Sequence, residues 1–173
     1  YIKKHFLGSC SQHLAGLGQN SKIEARIVSN TKFHAPQGYT SLILVSNGTG
    51  IAPFIGMAVE NKSNANIDLF WGGKSAEDYK LYEEELLGLK ANNQIRNLRT
   101  IFSLNKNQYV QQLITENQAE IAEALVNGTS IMICGSIAMG QGVLNEIEMV
   151  CKNNNLDDIE FYKDNGQIKM DCY

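Results

Sequence analysis

The chain has 173 residues, is 43% hydrophobic and 19% charged, and carries a formal charge of −3 from 15 basic and 18 acidic side chains. That length suits one domain or slightly more, and the acidic balance argues against nucleic acid or an anionic membrane as the main partner. Apolar runs such as Leu42 to Val45 are too short to span a bilayer, so no membrane segment is expected.

Four cysteines, Cys10, Cys134, Cys151 and Cys172, are widely spaced with no CxxC pair, which excludes the usual zinc spacings. They point to a reduced, cytoplasmic chain with no metal site. Tyr1 stands where a Met would begin a complete chain, so further residues are expected upstream.

Gly8-Ser9-Cys10-Ser11 predicts a turn leading into a short helical piece, Gln12 to Leu17. Ile23, Ala25 and Ile27 alternate as in a strand that continues toward Phe33. Pro36-Gln37-Gly38 closes this section and predicts a domain boundary, giving residues 1–38 and 39–173.

From Thr40 onward strands and helices alternate. Ser41 to Ser46 is a short apolar run of the kind buried on both faces. Asn47-Gly48-Thr49-Gly50 is a turn, and Pro53 suits the first turn of a helix because its missing N–H does no harm there. Ile67 to Trp71 is a second strand, and the acidic pair Glu77-Asp78 behind Ser75 favours a helix from Ala76 to Leu87. A third strand, Leu98 to Ser103, precedes one helix from Gln108 to Val126, which Gly128 stops. A fourth strand, Ser130 to Cys134, is followed by a helix from Gly140 to Cys151. Ile159 to Tyr162 reads as a fifth strand and Gln167 to Tyr173 as a terminal one. Alternation at this spacing predicts an α/β fold with a doubly wound, five-stranded parallel sheet.

Ligands of such sheets bind outside the carboxyl ends of the strands. Those ends carry Gly48-Thr49-Gly50, Gly72-Gly73-Lys74, Ser103 and Cys134-Gly135-Ser136, mostly small residues that let backbone approach a ligand closely. A Gly-Thr-Gly turn feeding a helix presents free N–H groups to a phosphate. It departs from the strict Gly-x-Gly-x-x-Gly pattern, and no Gly-Lys-Ser/Thr follows, so a P-loop nucleotidase is not expected.

Taken with its continuation, Gly48-Thr49-Gly50-Ile51-Ala52-Pro53-Phe54 resembles the signature of the ferredoxin-NADP reductase superfamily, and within it the diflavin branch of sulfite reductase flavoprotein and NADPH-cytochrome reductases. Asp78-Tyr79-Lys80-Leu81-Tyr82-Glu83-Glu84-Glu85-Leu86, Tyr109-Val110-Gln111, Ile133-Cys134-Gly135 and Asp171-Cys172-Tyr173 resemble further motifs of that branch in the same order. Gly8-Ser9-Cys10-Ser11 resembles its FAD pyrophosphate turn.

The resemblance implies that residues 39–173 form the NAD(P)H-binding module and that residues 1–38 are the tail end of an FAD-binding β-barrel domain. It implies an oxidoreductase that passes hydride from NADPH (or NADH) to FAD. Single electrons then go to an FMN domain, a flavodoxin or a haem protein. Gly48, Thr49, Gly50 and Pro53 would shape the pyrophosphate site and Gly135 the nicotinamide side, with Gly50 letting backbone approach the ligand, so that valine there would abolish binding and spare the fold. Lys74 would reach the phosphates, and Ser103, Lys106, Tyr109 and Gln111 would hold the adenosine end. Cys134 and Asp171 would support hydride transfer, and Tyr173 would cover the flavin face, while Gly8, Ser9, Cys10 and Ser11 would hold the FAD pyrophosphate. Two alternatives stay open: a single-flavin ferredoxin- or flavodoxin-type reductase, and a non-catalytic dinucleotide-binding module. One departure stands out. NADPH-specific members carry Ser-Arg at the third strand end, and here the pair is Ser103-Leu104.

Overall fold

The computed structural model describes residues 9–28, 30–62, 65–104 and 107–173. They fall into two compact units, residues 1–31 and 32–173. The first contains one short helix, α1 (Ser9–Ala15), whose residues are all exposed. The turn expected at residues 8–11 is therefore the first turn of a helix from Ser9 onward, while Gly8 lies outside the described residues. The strand expected through Ile23, Ala25 and Ile27 does not form. A strand needs a partner to satisfy its N–H and C=O groups, and the described residues of this unit supply none. The second unit starts at Lys32, ahead of the boundary expected at Gly38, because Phe33 is buried against Phe54, ring centroids 6.0 Å apart.

Five strands, β1 (Ser41–Asn47), β2 (Asn66–Gly73), β3 (Asn97–Phe102), β4 (Ser130–Gly135) and β5 (Ile168–Cys172), form one sheet. Every pairing is parallel and the order is β3-β2-β1-β4-β5. The chain steps outward from β1 through β2 to β3, then returns to β4 on the other side, so β1 and β4 flank the point where the winding reverses. Strand side chains alternate between two apolar layers. Leu42, Leu44, Ile67, Leu69 and Trp71 pack with α2 (Ala52–Val59) and α3 (Ala76–Ala91). Ile43, Val45, Phe70, Ile131 and Ile133 pack with α4 (Val110–Glu116), α5 (Gln118–Val126), α6 (Ile137–Asn153) and α7 (Ile159–Asp164).

The capping chemistry explains most helix boundaries. Ser75 accepts the Asp78 N–H while Asp78 Oδ2 accepts the Ser75 N–H at 2.8 Å, a reciprocal cap that starts α3 where the acidic first turn predicts. The helix runs past Leu87 to bury Leu89 one turn beyond Leu86. The single helix expected over Gln108 to Val126 is divided at Asn117, whose Nδ2 donates to the Leu113 carbonyl at 2.7 Å and whose backbone leaves the helical region. Ser136 caps α6 through the Met139 N–H, so α6 begins before Gly140. Ile159 to Tyr162 is helix α7, not a strand. Asp158 Oδ1 accepts the Phe161 N–H at 2.9 Å, and Ile159 and Tyr162, three residues apart, bury one face.

Asp68, 1% exposed within β2, is neutralised by Arg96, which donates from Nε and Nη2, and also accepts from Asn97 Nδ2 at 2.9 Å. Arg99 extends the network to Glu120 at 2.7 Å and lies over the Phe70 ring. This cluster ties β2 and β3 to α5. It sits toward the starts of the strands, away from their carboxyl ends.

Candidate functional site

At the carboxyl ends of β1 and β4 the backbone itself is the building material. Gly48 adopts φ +52° with open space around its Cα, a left-handed step that leads into a 3-10 turn, Gly48–Ile51. Trp71 Nε1 donates to the Gly48 carbonyl at 3.0 Å and holds this turn from β2. Gly135 has φ +147°, and a Cβ there would fall 2.1 Å from Asn47 Oδ1. Asn47 uses that closeness: Oδ1 accepts the Ser136 N–H at 3.0 Å and Nδ2 donates to Ser136 Oγ at 3.1 Å. One side chain thereby fastens the end of β1 to the cap of α6 across the reversal point. Sequence reasoning singles out Gly48 and Gly135 but misses Asn47, because an Asn in a Gly-rich turn is read as turn chemistry.

These elements surround a cavity of about 650 Å³. Among the expected site residues, Gly48, Thr49, Lys74, Ser103, Tyr109 and Gln111 line it. Trp71, Leu81, Tyr82, Ser136 and Met139 line it as well, and Trp71 also belongs to the core. Trp71 is both, fully buried yet forming part of the wall with its ring edge-on to Tyr82 at 6.0 Å.

Two expected pyrophosphate residues lie elsewhere. Gly50 is fully buried, and a Cβ there would lie 2.3 Å from the Cys134 carbonyl oxygen and 2.7 Å from Gly135 Cα. Its role is close packing of the turn against β4, not exposure of backbone to a ligand. Pro53 is an exposed residue at the start of α2. Lys106 lies outside the described residues. Ser9, Cys10 and Ser11 belong to the other unit, in α1, and no binding step is assigned to them.

The register of β4 and β5 sets Asp171 opposite Cys134. Cys134 is 4% exposed, and burial, followed by the Asp171 charge and the neighbouring Cys172, pushes its thiol up from 9.0 to about 11. Cys134 Sγ therefore keeps its proton at neutral pH. The sign of the linkage follows. A folded-state value above the unfolded one stabilises the fold fully below pH 9, and that contribution disappears as pH rises through 11. Stability measured by urea titration should fall across pH 9 to 11, by about 2 kcal/mol for this group. Cys134→Ser should flatten that part of the slope, and an unchanged slope would show that the thiol is not shielded. Beside this pair, Tyr173 donates its N–H to the Gly135 carbonyl at 3.0 Å, and its hydroxyl lies 3.1 Å from Thr49 Oγ1. Tyr173 thus meets the turn that follows β1, beside the cavity. No group of side chains among the described residues has the makings of a metal site.

A family model described as the oxidoreductase NAD-binding domain matches residues 44–145, which contain the turn, the residues lining the cavity and Cys134. The chain is similar to the "Sulfite reductase [NADPH] flavoprotein alpha-component" of Buchnera aphidicola subsp. Acyrthosiphon pisum, 30% identical over 97% of this chain and 30% of that protein. It is also similar to "NADPH oxidoreductase A" of Dictyostelium discoideum, 31% identical over 75% of this chain and 21% of the relative. Human "NADPH--cytochrome P450 reductase" is 28% identical over 70% of this chain and 19% of its own length. The chain spans 30% or less of the length of these relatives.

Proposed function

We propose, from the premise that this chain belongs to the oxidoreductase NAD-binding domain family and within it to the diflavin reductase branch, that it binds NADPH and presents the nicotinamide for hydride transfer to a flavin. The observation that carries this reading is the cavity of about 650 Å³ at the reversal point of the sheet, bounded by a Gly-Thr turn and a capped helix start. Its residues fit a dinucleotide. Gly48 and Thr49 offer unencumbered backbone and a hydroxyl to a pyrophosphate, and Lys74 adds a cation. Ser103, Tyr109 and Gln111 supply hydroxyl and amide groups for an adenosine end, a task in which Lys106 joins them on this reading.

FAD, when bound, takes two electrons as hydride and releases them singly. The exposed ring of Tyr173 fits a flat ring system laid against it. Cys134 Sγ holds a proton beside the place where the nicotinamide would end, and the charge of Asp171, opposite it in the sheet, helps keep that proton on the thiol. This register favours a catalytic module over a non-catalytic dinucleotide sensor. On the same reading the first unit, residues 1–31, is the end of a flavin-binding domain and the second, residues 32–173, the dinucleotide-binding domain. The electrons continue to an FMN domain, a flavodoxin or a haem protein. Four free cysteines suit a cytoplasmic location, and no helix among the described residues is long and apolar enough to cross a membrane.

The test is titration of the full chain with NADP⁺, followed by calorimetry and by amide chemical shifts. Saturable binding with shifts at Thr49, Lys74, Ser103 and Gln111 is expected. Saturation that moves none of these residues, or no binding at millimolar ligand, would overturn the proposal.

A further inference from the structure

We infer that Tyr173 is a positioning residue for the dinucleotide pyrophosphate, acting through the hydroxyl of Thr49; the inference rests on the dinucleotide reading of the cavity. Thr49 lines the cavity and Tyr173 does not, yet their hydroxyl oxygens are 3.1 Å apart. Tyr173 is not loosely placed. Its N–H donates to the Gly135 carbonyl at 3.0 Å and its own carbonyl accepts the Ile137 N–H at 3.3 Å. Its backbone is thereby tied to the junction of β4 and α6 that Asn47 fastens to β1.

The chemistry of the three groups then decides the direction of the bonds. Each hydroxyl has one proton to give and lone pairs to accept with, whereas pyrophosphate oxygens at neutral pH only accept. When Thr49 turns its proton toward the pyrophosphate, the contact with Tyr173 survives with Tyr173 as the donor. The result is a chain in which Tyr173 O–H donates to Thr49 Oγ1 and Thr49 O–H donates to the anion. Donation into Thr49 polarises its outgoing bond, which is charge-assisted and therefore the stronger kind. Tyr173 also keeps Thr49 Oγ1 in place before the ligand arrives. By linkage, an occupied pyrophosphate site stabilises Tyr173 in this seat to the same extent.

A double-mutant cycle on the full chain tests this, with ADP-ribose as the probe because it carries the pyrophosphate and lacks nicotinamide. Tyr173→Phe keeps the ring and removes the donor, and calorimetry should show ADP-ribose binding weakened by about three- to tenfold. The loss should vanish when Thr49 is already Val and persist when it is Ser, which retains the hydroxyl. Unchanged or tighter binding in Tyr173→Phe, or an equal loss in the Thr49→Val background, would overturn the relay while leaving the dinucleotide site standing. A parent chain that does not bind ADP-ribose at all would overturn the dinucleotide reading and the relay together.

Discussion

Gly50→Val should damage the fold itself, not merely the cavity. Even the first added atom, Cβ, would come within 2.3 Å of the Cys134 carbonyl oxygen and 2.7 Å of both Cys134 C and Gly135 Cα, all backbone. Backbone of β4 cannot give way cheaply, since every residue of that strand is buried and it pairs with β1 on one side and β5 on the other. Overpacking where neighbours can adjust costs about 1–3 kcal/mol, so a clash against fixed backbone should cost about 3 kcal/mol or more. Urea unfolding of the parent, Gly50→Ala and Gly50→Val should show both variants destabilised, with valine the worse. Loss of NADP⁺ affinity in Gly50→Val would then accompany the loss of structure. A valine variant as stable as the parent would return Gly50 to the role of an open floor beneath the pyrophosphate.

The second large effect concerns the choice of coenzyme. Ser103 and Leu104 are held beside β2 by N–H bonds to the Gly73 and Lys74 carbonyls at 3.0 and 2.8 Å. Ser103 faces the main cavity, while Leu104, 57% exposed, borders a smaller hollow of about 280 Å³ that Lys74 shares. An apolar side chain there offers neither a forked cation for a 2′-phosphate nor a carboxylate for a 2′-hydroxyl. The parent chain should therefore discriminate weakly, favouring the phosphorylated ligand slightly through Ser103 and Lys106. Leu104→Arg adds a charge-assisted pair worth about 1.5–3 kcal/mol. Binding of 2′,5′-ADP relative to 5′-AMP should rise by about ten- to a hundredfold. Calorimetric titration of both ligands against parent and variant checks this. A parent preference of roughly a thousandfold for either ligand, or no change in Leu104→Arg, would refute it.

The first prediction depends on neighbours that a linear reading does not supply and the second on a residue the sequence itself shows, and the same division runs through the molecule. The apolar runs at 41–46, 67–71 and 130–134 are buried strands because a strand surrounded on both faces has few polar positions to spare, whereas the edge strand β3 buries only Ile101. Ser75 with Asp78 starts α3 by bonds within four residues, so that boundary was equally local. Ile159 to Tyr162 misled because four residues with apolar ends suit either period, and the Asp158 cap decided between them. Asn117 divided a helix whose apolar spacing continues through it, since the break is a side chain competing for a carbonyl, which periodicity does not register.

At the site, the Gly-rich strand ends were legible because ligand position in a doubly wound sheet follows from topology, and topology follows from the order of elements. Which glycine does what was not legible. Gly48 and Gly50 are two residues apart in one motif, yet one lines the cavity and the other is pressed against β4, a strand more than eighty residues further along the chain. The pairing of Cys134 with Asp171, the Asn47 fastening to Ser136 and the Thr49–Tyr173 contact were likewise set by strand order and register. Local chemistry chose the elements of this protein, and long-range packing chose which of their ends meet.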